Sequence, residues 1–234
     1  MKVISILSGG LDSTIMTYML VDKFGAENVT AMSFEYGQTL NVEIDCARRT
    51  TEKLGIEHKI VDVTFIKDLA PNACALFTDS TVDVPTVTQV LGDPQPDTYV
   101  PCRNQLFTTI AMSFAESIHA EQIYLGIQSQ DEYSYWDTTT YWLDAMNALS
   151  SLNRKHKMEI IGPWVKKTKA DEIRIGVELG VPFEDTWSCY AGDHGEGACG
   201  VCPSCADRIA NFILAKVKDP IPYIIGDRIP WVEE

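Results

Sequence analysis

No apolar run among the 234 residues approaches the roughly 20 that a membrane-spanning helix needs, so an integral helical membrane protein is not expected. The first apolar stretch stops at Gly9 with no cleavage pattern behind it, which argues against a secretory leader and for a cytoplasmic chain. Basic residues are scarce. Only 19 Lys and Arg stand against 33 Asp and Glu, a net charge of −14, whereas a sequence-independent grip on nucleic acid needs clustered cations. That deficit still leaves room for a small anion in a local basic pocket. Internal repeats and low-complexity tracts are absent too. The 7 cysteines are odd in number and unevenly spread, in a chain without an export pattern. Metal binding or burial is therefore a better expectation for them than paired disulfides.

What is present is ordinary for a globular protein. Hydrophobic residues make up 45% and charged residues 22%, with length for one sizeable core or one core with an appendage. Val3, Ile4, Ile6 and Leu7 read as a short buried strand, followed by a helical pattern at Ile15, Met16, Met19 and Leu20. Residues 27–34 read as a second strand, and Val42, Ile44, Ala47 and Leu54 share a helix face before a third strand at 57–63. Phe107, Ile110, Ala111 and Phe114 mark a further helix, 121–126 a fourth strand, 141–152 an amphipathic helix and 159–164 a short fifth strand or extended segment. Strands and helices alternating at this pace predict an α/β fold with a doubly wound parallel sheet, its ligands at the carboxyl ends of the strands. Residues 71–98 interrupt the pattern with Pro71, Pro85, Pro94 and Pro96; so long a connection is expected to be a lid or loop. No linker divides the chain before about residue 185, so residues 1–185 form the expected nucleotide-binding domain and 186–234 a small C-terminal region.

The stretch Ser8-Gly9-Gly10-Leu11-Asp12-Ser13 joins the first strand to the first helix. Strand, glycine turn and helix place backbone N–H groups and a helix N-terminus around an anion, and the two serines add hydroxyls. A kinase-type phosphate loop would carry a lysine before its Ser or Thr, and none stands here. Asp12 sits in the mouth instead, where a carboxylate suits a Mg²⁺ ion or a ribose. The stretch resembles the pyrophosphate loop of ATP pyrophosphatases, which holds the β,γ-pyrophosphate of ATP and leaves the α-phosphate open to attack.

Other positions carry chemistry as well. Arg103 opens a helix, where a cation does not help the dipole, so an anionic ligand is expected there. The segment Asp131-Glu132-Tyr133-Ser134-Tyr135-Trp136-Asp137 sets aromatics beside carboxylates at a strand end. That suits a flat heterocycle with N–H donors, or simply rings that cover the core. Among Lys166, Lys167 and Lys169, a lysine at the helix start meets phosphate well; Thr168 with Glu172 reads as a cap. Cys189, Cys199, Cys202 and Cys205 could close a tetrahedral site with small Gly and Pro spacers between them. Four sulfurs favour structural Zn²⁺, although iron–sulfur clusters use similar spacing.

Together, the loop, Phe34-Glu35-Tyr36-Gly37-Gln38, Tyr99-Val100-Pro101-Cys102-Arg103-Asn104, Thr186-Trp187-Ser188-Cys189-Tyr190 and Cys199-Gly200-Val201-Cys202-Pro203-Ser204-Cys205 resemble the 7-cyano-7-deazaguanine synthase family over almost the whole chain. That resemblance implies a Rossmann-like fold of the ATP pyrophosphatase type. It also implies a ligase that turns 7-carboxy-7-deazaguanine, ATP and ammonia into the nitrile through an acyl-adenylate and an amide. By resemblance, Ser8, Gly9, Gly10, Leu11, Asp12 and Ser13 bind ATP with Mg²⁺, and Asp12, Lys169 and Arg103 are the catalytic groups. Tyr36, Gln38, Arg103, Asp131, Tyr135 and Asp137 would contact the deazaguanine, and the four cysteines would bind zinc. A homodimer is the implied assembly, with no direct nucleic-acid partner.

The departures cluster around the substrate. The family's usual loop reads Asp-Tyr-Ser-Gly-Tyr-Pro-Asp-Cys where this chain has residues 131–138. Glycine is usual where Cys102 stands, and a basic pair where Thr39 and Leu40 stand. A variant that stops at the amide or takes another acid is therefore an alternative expectation. Another adenylating enzyme such as a tRNA thiolase, or a non-catalytic nucleotide-binding zinc module, are the others.

Overall fold

The computed structural model of the chain describes residues 1–38, 42–69, 74–77, 80–90, 93, 95–128, 135–191 and 197–225. Five strands, β1 (Val3–Ile6), β2 (Val29–Glu35), β3 (Glu57–Asp62), β4 (Gln122–Leu125) and β5 (Glu159–Ile161), form one sheet in the order β3-β2-β1-β4-β5. All pairs are parallel, with Val3 in register with both Val29 and Gln122. The expected doubly wound sheet is thus present. Order reverses between β1 and β4, and this switch point is where such sheets bind ligands.

Burial follows the period of two that a strand imposes. Ile4, Met32, Phe34, Ile123 and Leu125 face one core layer, while Val3, Val29, Ala31 and Tyr124 face the other. Helices α5 (Arg103–Ile118) and α6 (Thr140–Ser151) cover the first layer through Phe107, Ala111, Ala115, Trp142 and Met146. Helices α1 (Leu11–Phe24), α2 (Val42–Leu54), α7 (Lys169–Glu178) and α8 (Pro203–Ala215) cover the second through Ile15, Leu20, Ala47, Ile173 and Phe212. Two short helices, α3 (Phe65–Leu69) and α4 (Val87–Val90), lie in the connection before α5. β3 is an edge, and its exposed Glu57 and Lys59, paired at 2.7 Å, discourage a further strand from adding there.

Boundaries differ from the sequence reading in small ways. Residues Ala26–Asn28 form a 3₁₀ turn rather than the start of a strand, because Gly25 ends α1 with a φ of 82° and the chain must turn before entering the sheet. β5 ends at Ile161, where Gly162 and Pro163 break the ladder. The α7 cap is closed by Asp171, not Glu172. Thr168 accepts from the Asp171 backbone while the Asp171 carboxylate returns to Thr168, leaving Glu172 wholly buried.

A third apolar cluster gathers Cys46 of α2, Trp187, Cys189, Cys202, Cys205, Ile209 and Tyr223. Beside it Arg208, 2% exposed, makes a two-pronged ion pair with Asp219 at 2.6 and 2.9 Å. The same guanidinium donates to Thr186 Oγ1 and the Phe183 carbonyl, and Tyr223 donates to Asp219. Every donor and acceptor around this buried charge is thereby engaged, which is the condition for tolerating it. Within 71–98, residues 74–77 are buried, with Cys74, Leu76 and Phe77 in the first core layer, whereas Thr81, Asp83, Thr88 and Gln89 are exposed.

Candidate active site

The carboxyl ends of β1, β2 and β4 open into a cavity of about 300 Å³, in the size range of small-molecule sites. Its floor is the turn from β1 into α1. Gly9 adopts φ +87°, and a Cβ there would lie 2.0 Å from the Glu43 carbonyl oxygen, so only glycine lets the loop pack this closely against α2. On the loop's other flank, a Cβ at Gly126 would meet Ser13 N at 2.9 Å. The Ser8 and Ser13 hydroxyls lie 2.9 Å apart, and Ser13 Oγ also accepts from Ser8 N. Gly10 caps α1 without a side-chain acceptor, which leaves first-turn N–H groups to an anion. Two tryptophans fix the loop from behind: Trp187 N donates to the Gly9 carbonyl at 3.0 Å, and Trp164 Nε1 to the Asp12 carbonyl at 3.0 Å.

Lys169 reaches the same mouth from the first position of α7. Its Nζ lies 3.6 Å from Asp12 Oδ2 and is hydrogen-bonded to Asp207 of α8. Burial pushes the Asp12 carboxyl up, with Lys169 pulling it down and Asp207 pushing it up. Lys169 is thus set between two carboxylates at the mouth of the loop.

Arg103 faces the loop from the start of α5. Its guanidinium stacks on Tyr36 at 5.5 Å and donates to the Tyr36 hydroxyl at 3.4 Å. Burial alone would lower its pKa, but Tyr36, Tyr135, Tyr190 and Asp137 more than offset this, so it stays charged. No carboxylate pairs with it among the described residues, which suits the anionic group expected there. Tyr36, Gln38 and Tyr135 also line the cavity, with the Tyr135 hydroxyl 2.7 Å from Thr98 Oγ1. Gln38 spends its carbonyl on the Tyr36 N–H at 2.8 Å and so holds the end of β2 in shape. Asp137 does not line the cavity. Its carboxylate accepts from Asn104 N at 3.3 Å and so caps the start of α5, whose N-cap Cys102 offers no side-chain acceptor. Asp131 lies outside the described residues.

The four cysteine sulfurs lie within 4.8 Å of one another. Backbone N–H groups donate into them, from Cys199 to Cys189, from Cys202 to Cys199 and from Cys205 to Cys202, at 3.3–3.4 Å. Such donors stabilise thiolates. Hydrogen bonds with Cys189 and Cys205 push the Cys202 thiol down to about 4, and hydrogen bonds with Cys189 and Cys202 push Cys205 up. Sulfurs so close share protons that a cation would replace, and the residues fit a metal. Cys189, Ser204 and Arg208 belong to the cavity wall, so the cluster also shapes the site.

A family model described as queuosine biosynthesis protein QueC matches residues 2–216. The chain belongs to this family. The 7-cyano-7-deazaguanine synthase of Methanospirillum hungatei is 39% identical over 95% of this chain and 100% of that protein. That of Caldicellulosiruptor saccharolyticus is 39% identical over 99% and 98%. Among solved structures, NMN synthetase from Francisella tularensis overlays at a TM-score of 0.48, 17% identical, over 93% of this chain and 78% of that one. QueC membership makes the chain an enzyme of queuosine biosynthesis, an ATP-dependent ligase. No helix of the described residues is long and apolar enough to cross a membrane.

Among the polar residues of this cavity, Gln128, Glu43 and Arg208 escaped the sequence reading. Gln128, 6% exposed just beyond β4, has no partner for its Nε2 among the described residues; its position past a strand end was the available signal. Glu43 lines the cavity from the first turn of α2. A carboxylate there reads as ordinary dipole compensation, which hid it.

Proposed function

We propose that the chain converts 7-carboxy-7-deazaguanine to 7-cyano-7-deazaguanine with ATP and ammonia. The observation that carries this reading is one cavity that joins an open phosphate loop, Lys169 and an Arg103 without a carboxylate partner among the described residues. A carboxylate is a poor acylating agent and must be activated. Loop amides, Ser8, Ser13 and Lys169 would hold the outer phosphates, leaving the α-phosphorus open to the substrate acid. Pyrophosphate leaves and an acyl-adenylate forms; ammonia displaces AMP to give the amide. A second adenylation, on the amide oxygen, lets AMP depart as the nitrile forms. Positioning and charge stabilisation suffice, and no side chain need become a nucleophile. Asp12 would hold the Mg²⁺ that accompanies ATP, which supplies charge neutralisation at the phosphates. The four cysteines would hold Zn²⁺, whose closed coordination supplies a structural crosslink.

Arg103 would take the anionic carboxylate, while Tyr36, Gln38 and Tyr135 border the heterocycle. Incubation with 7-carboxy-7-deazaguanine, ATP, Mg²⁺ and ammonium should yield AMP, pyrophosphate and a product with the nitrile mass. ADP in place of AMP refutes the adenylation. Amide as the end product would identify the variant that stops half-way.

A further inference from the structure

Ammonia is almost wholly protonated at neutral pH, and the ammonium cation cannot attack an acyl carbon. A site that captures the abundant cation must take a proton from it. Most acids near the cavity are committed elsewhere: Asp12 and Asp207 to Lys169, Asp137 to the start of α5. Glu172 is wholly buried behind the loop. Glu43 is different. It lines the cavity, and among the described residues no donor is hydrogen-bonded to its carboxylate. Its backbone is pressed against Gly9, so the residue is fixed relative to whatever the phosphate loop holds. Its carboxylate is within electrostatic reach of Arg103, where the acid substrate would be held. Glu43 thus shares the cavity with both groups that would position the two halves of the mixed anhydride, its backbone against the loop and its carboxylate within reach of Arg103.

We propose that Glu43 is the proton acceptor for the nitrogen nucleophile. This rests on the acyl-adenylate reading above. Glu43 takes one proton from ammonium, and the ammonia formed attacks the acyl carbon. The C–N bond forms and the carbon–oxygen bond to phosphate breaks. The second nitrogen proton leaves with the AMP phosphate, giving neutral amide, singly protonated AMP phosphate and Glu43 as the acid. The groups facing Glu43 are Arg103 of α5, the Tyr36 phenol at the end of β2 and the Cys46 thiol one turn along α2. Burial pushes its carboxyl up to about 7 and Arg103 restrains the rise. An acid in that range both accepts and releases a proton at neutral pH.

The test separates the two half-reactions. Acid-dependent ATP–pyrophosphate exchange reports adenylation without ammonia; product formation from ammonium reports nitrogen transfer. For Glu43→Gln, transfer should fall by about 10²–10³-fold while exchange falls far less. The acid limb of the transfer pH profile should vanish, and Glu43→Asp should restore part of the rate. Hydroxylamine, already neutral at pH 7, should narrow the gap between Glu43→Gln and the parent at least tenfold. Parental transfer from ammonium in Glu43→Gln, an equal fall in exchange, or no gain with hydroxylamine each overturns the assignment. Absence of exchange in the parent protein overturns the adenylation reading itself, and this one with it.

Discussion

Gly9→Ala tests the floor of the site most directly. The added methyl would sit 2.0 Å from the Glu43 carbonyl oxygen, 2.9 Å from its carbon and 3.0 Å from Ala47 N, all backbone atoms of α2. Ordinary Cβ contacts begin near 3.4 Å, so helix and loop must separate by about 1.4 Å, more than packed interiors tolerate without strain. A non-glycine φ of +87° costs a further ~1–2 kcal/mol. With overpacking at ~1–3 kcal/mol, the expected loss of stability is about 2–5 kcal/mol. The loop can instead escape by flipping outward, which would break the Trp187 N–H bond to the Gly9 carbonyl and scatter the anion donors. Either way ATP binding should weaken at least tenfold. Urea denaturation and calorimetric titration with ATP and Mg²⁺ read the two effects. A variant with parental midpoint and parental ATP affinity would show that the close approach of loop and α2 is not what builds the site.

Further tests address other parts of the molecule. Cys102 adopts φ 55° just before α5, in the left-handed region, so Cys102→Gly should stabilise the protein by about 0.5–1 kcal/mol in urea unfolding. Arg208→Met leaves Asp219 buried and uncompensated; a loss of about 3–5 kcal/mol is expected, and a loss below 1 kcal/mol would refute the pairing. Removing metal with a chelator, or Cys202→Ser, should lower the melting temperature, and added zinc should restore only the parent protein. The Glu43 carboxyl is raised in the fold, so its stabilising contribution is full below the unfolded value of 4.5 and is lost as pH rises through about 7. Glu43→Gln should therefore match the parent at pH 4 and exceed it by about 1–3 kcal/mol at pH 8; equal midpoints at both pH values would refute the burial.

The five strands and helices α1, α2, α5 and α6 were readable from periodicity, because a parallel strand buried on both faces must be apolar and a helix must repeat every three to four residues. The glycine turn from β1 into α1 was readable because glycine, serine and aspartate stand together within one local stretch. The cysteine set followed from spacing alone. Residues that meet across the fold were not. Asp137 looked like a ligand group beside aromatics, and only the placement of α5 shows that its carboxylate goes to the Asn104 N–H. Glu172 looked like a cap, and Asp171 took that place because its carboxylate returns to the Thr168 backbone. Glu43 belongs to the cavity only because α2 folds back onto Gly9, 34 residues earlier in the chain. Local sequence thus determined which elements form and where backbone amides converge, since both depend on neighbours along the chain. Which side chains share the cavity, and that Arg103 meets no carboxylate partner there among the described residues, was decided by contacts between distant segments, where burial and electrostatics act through space.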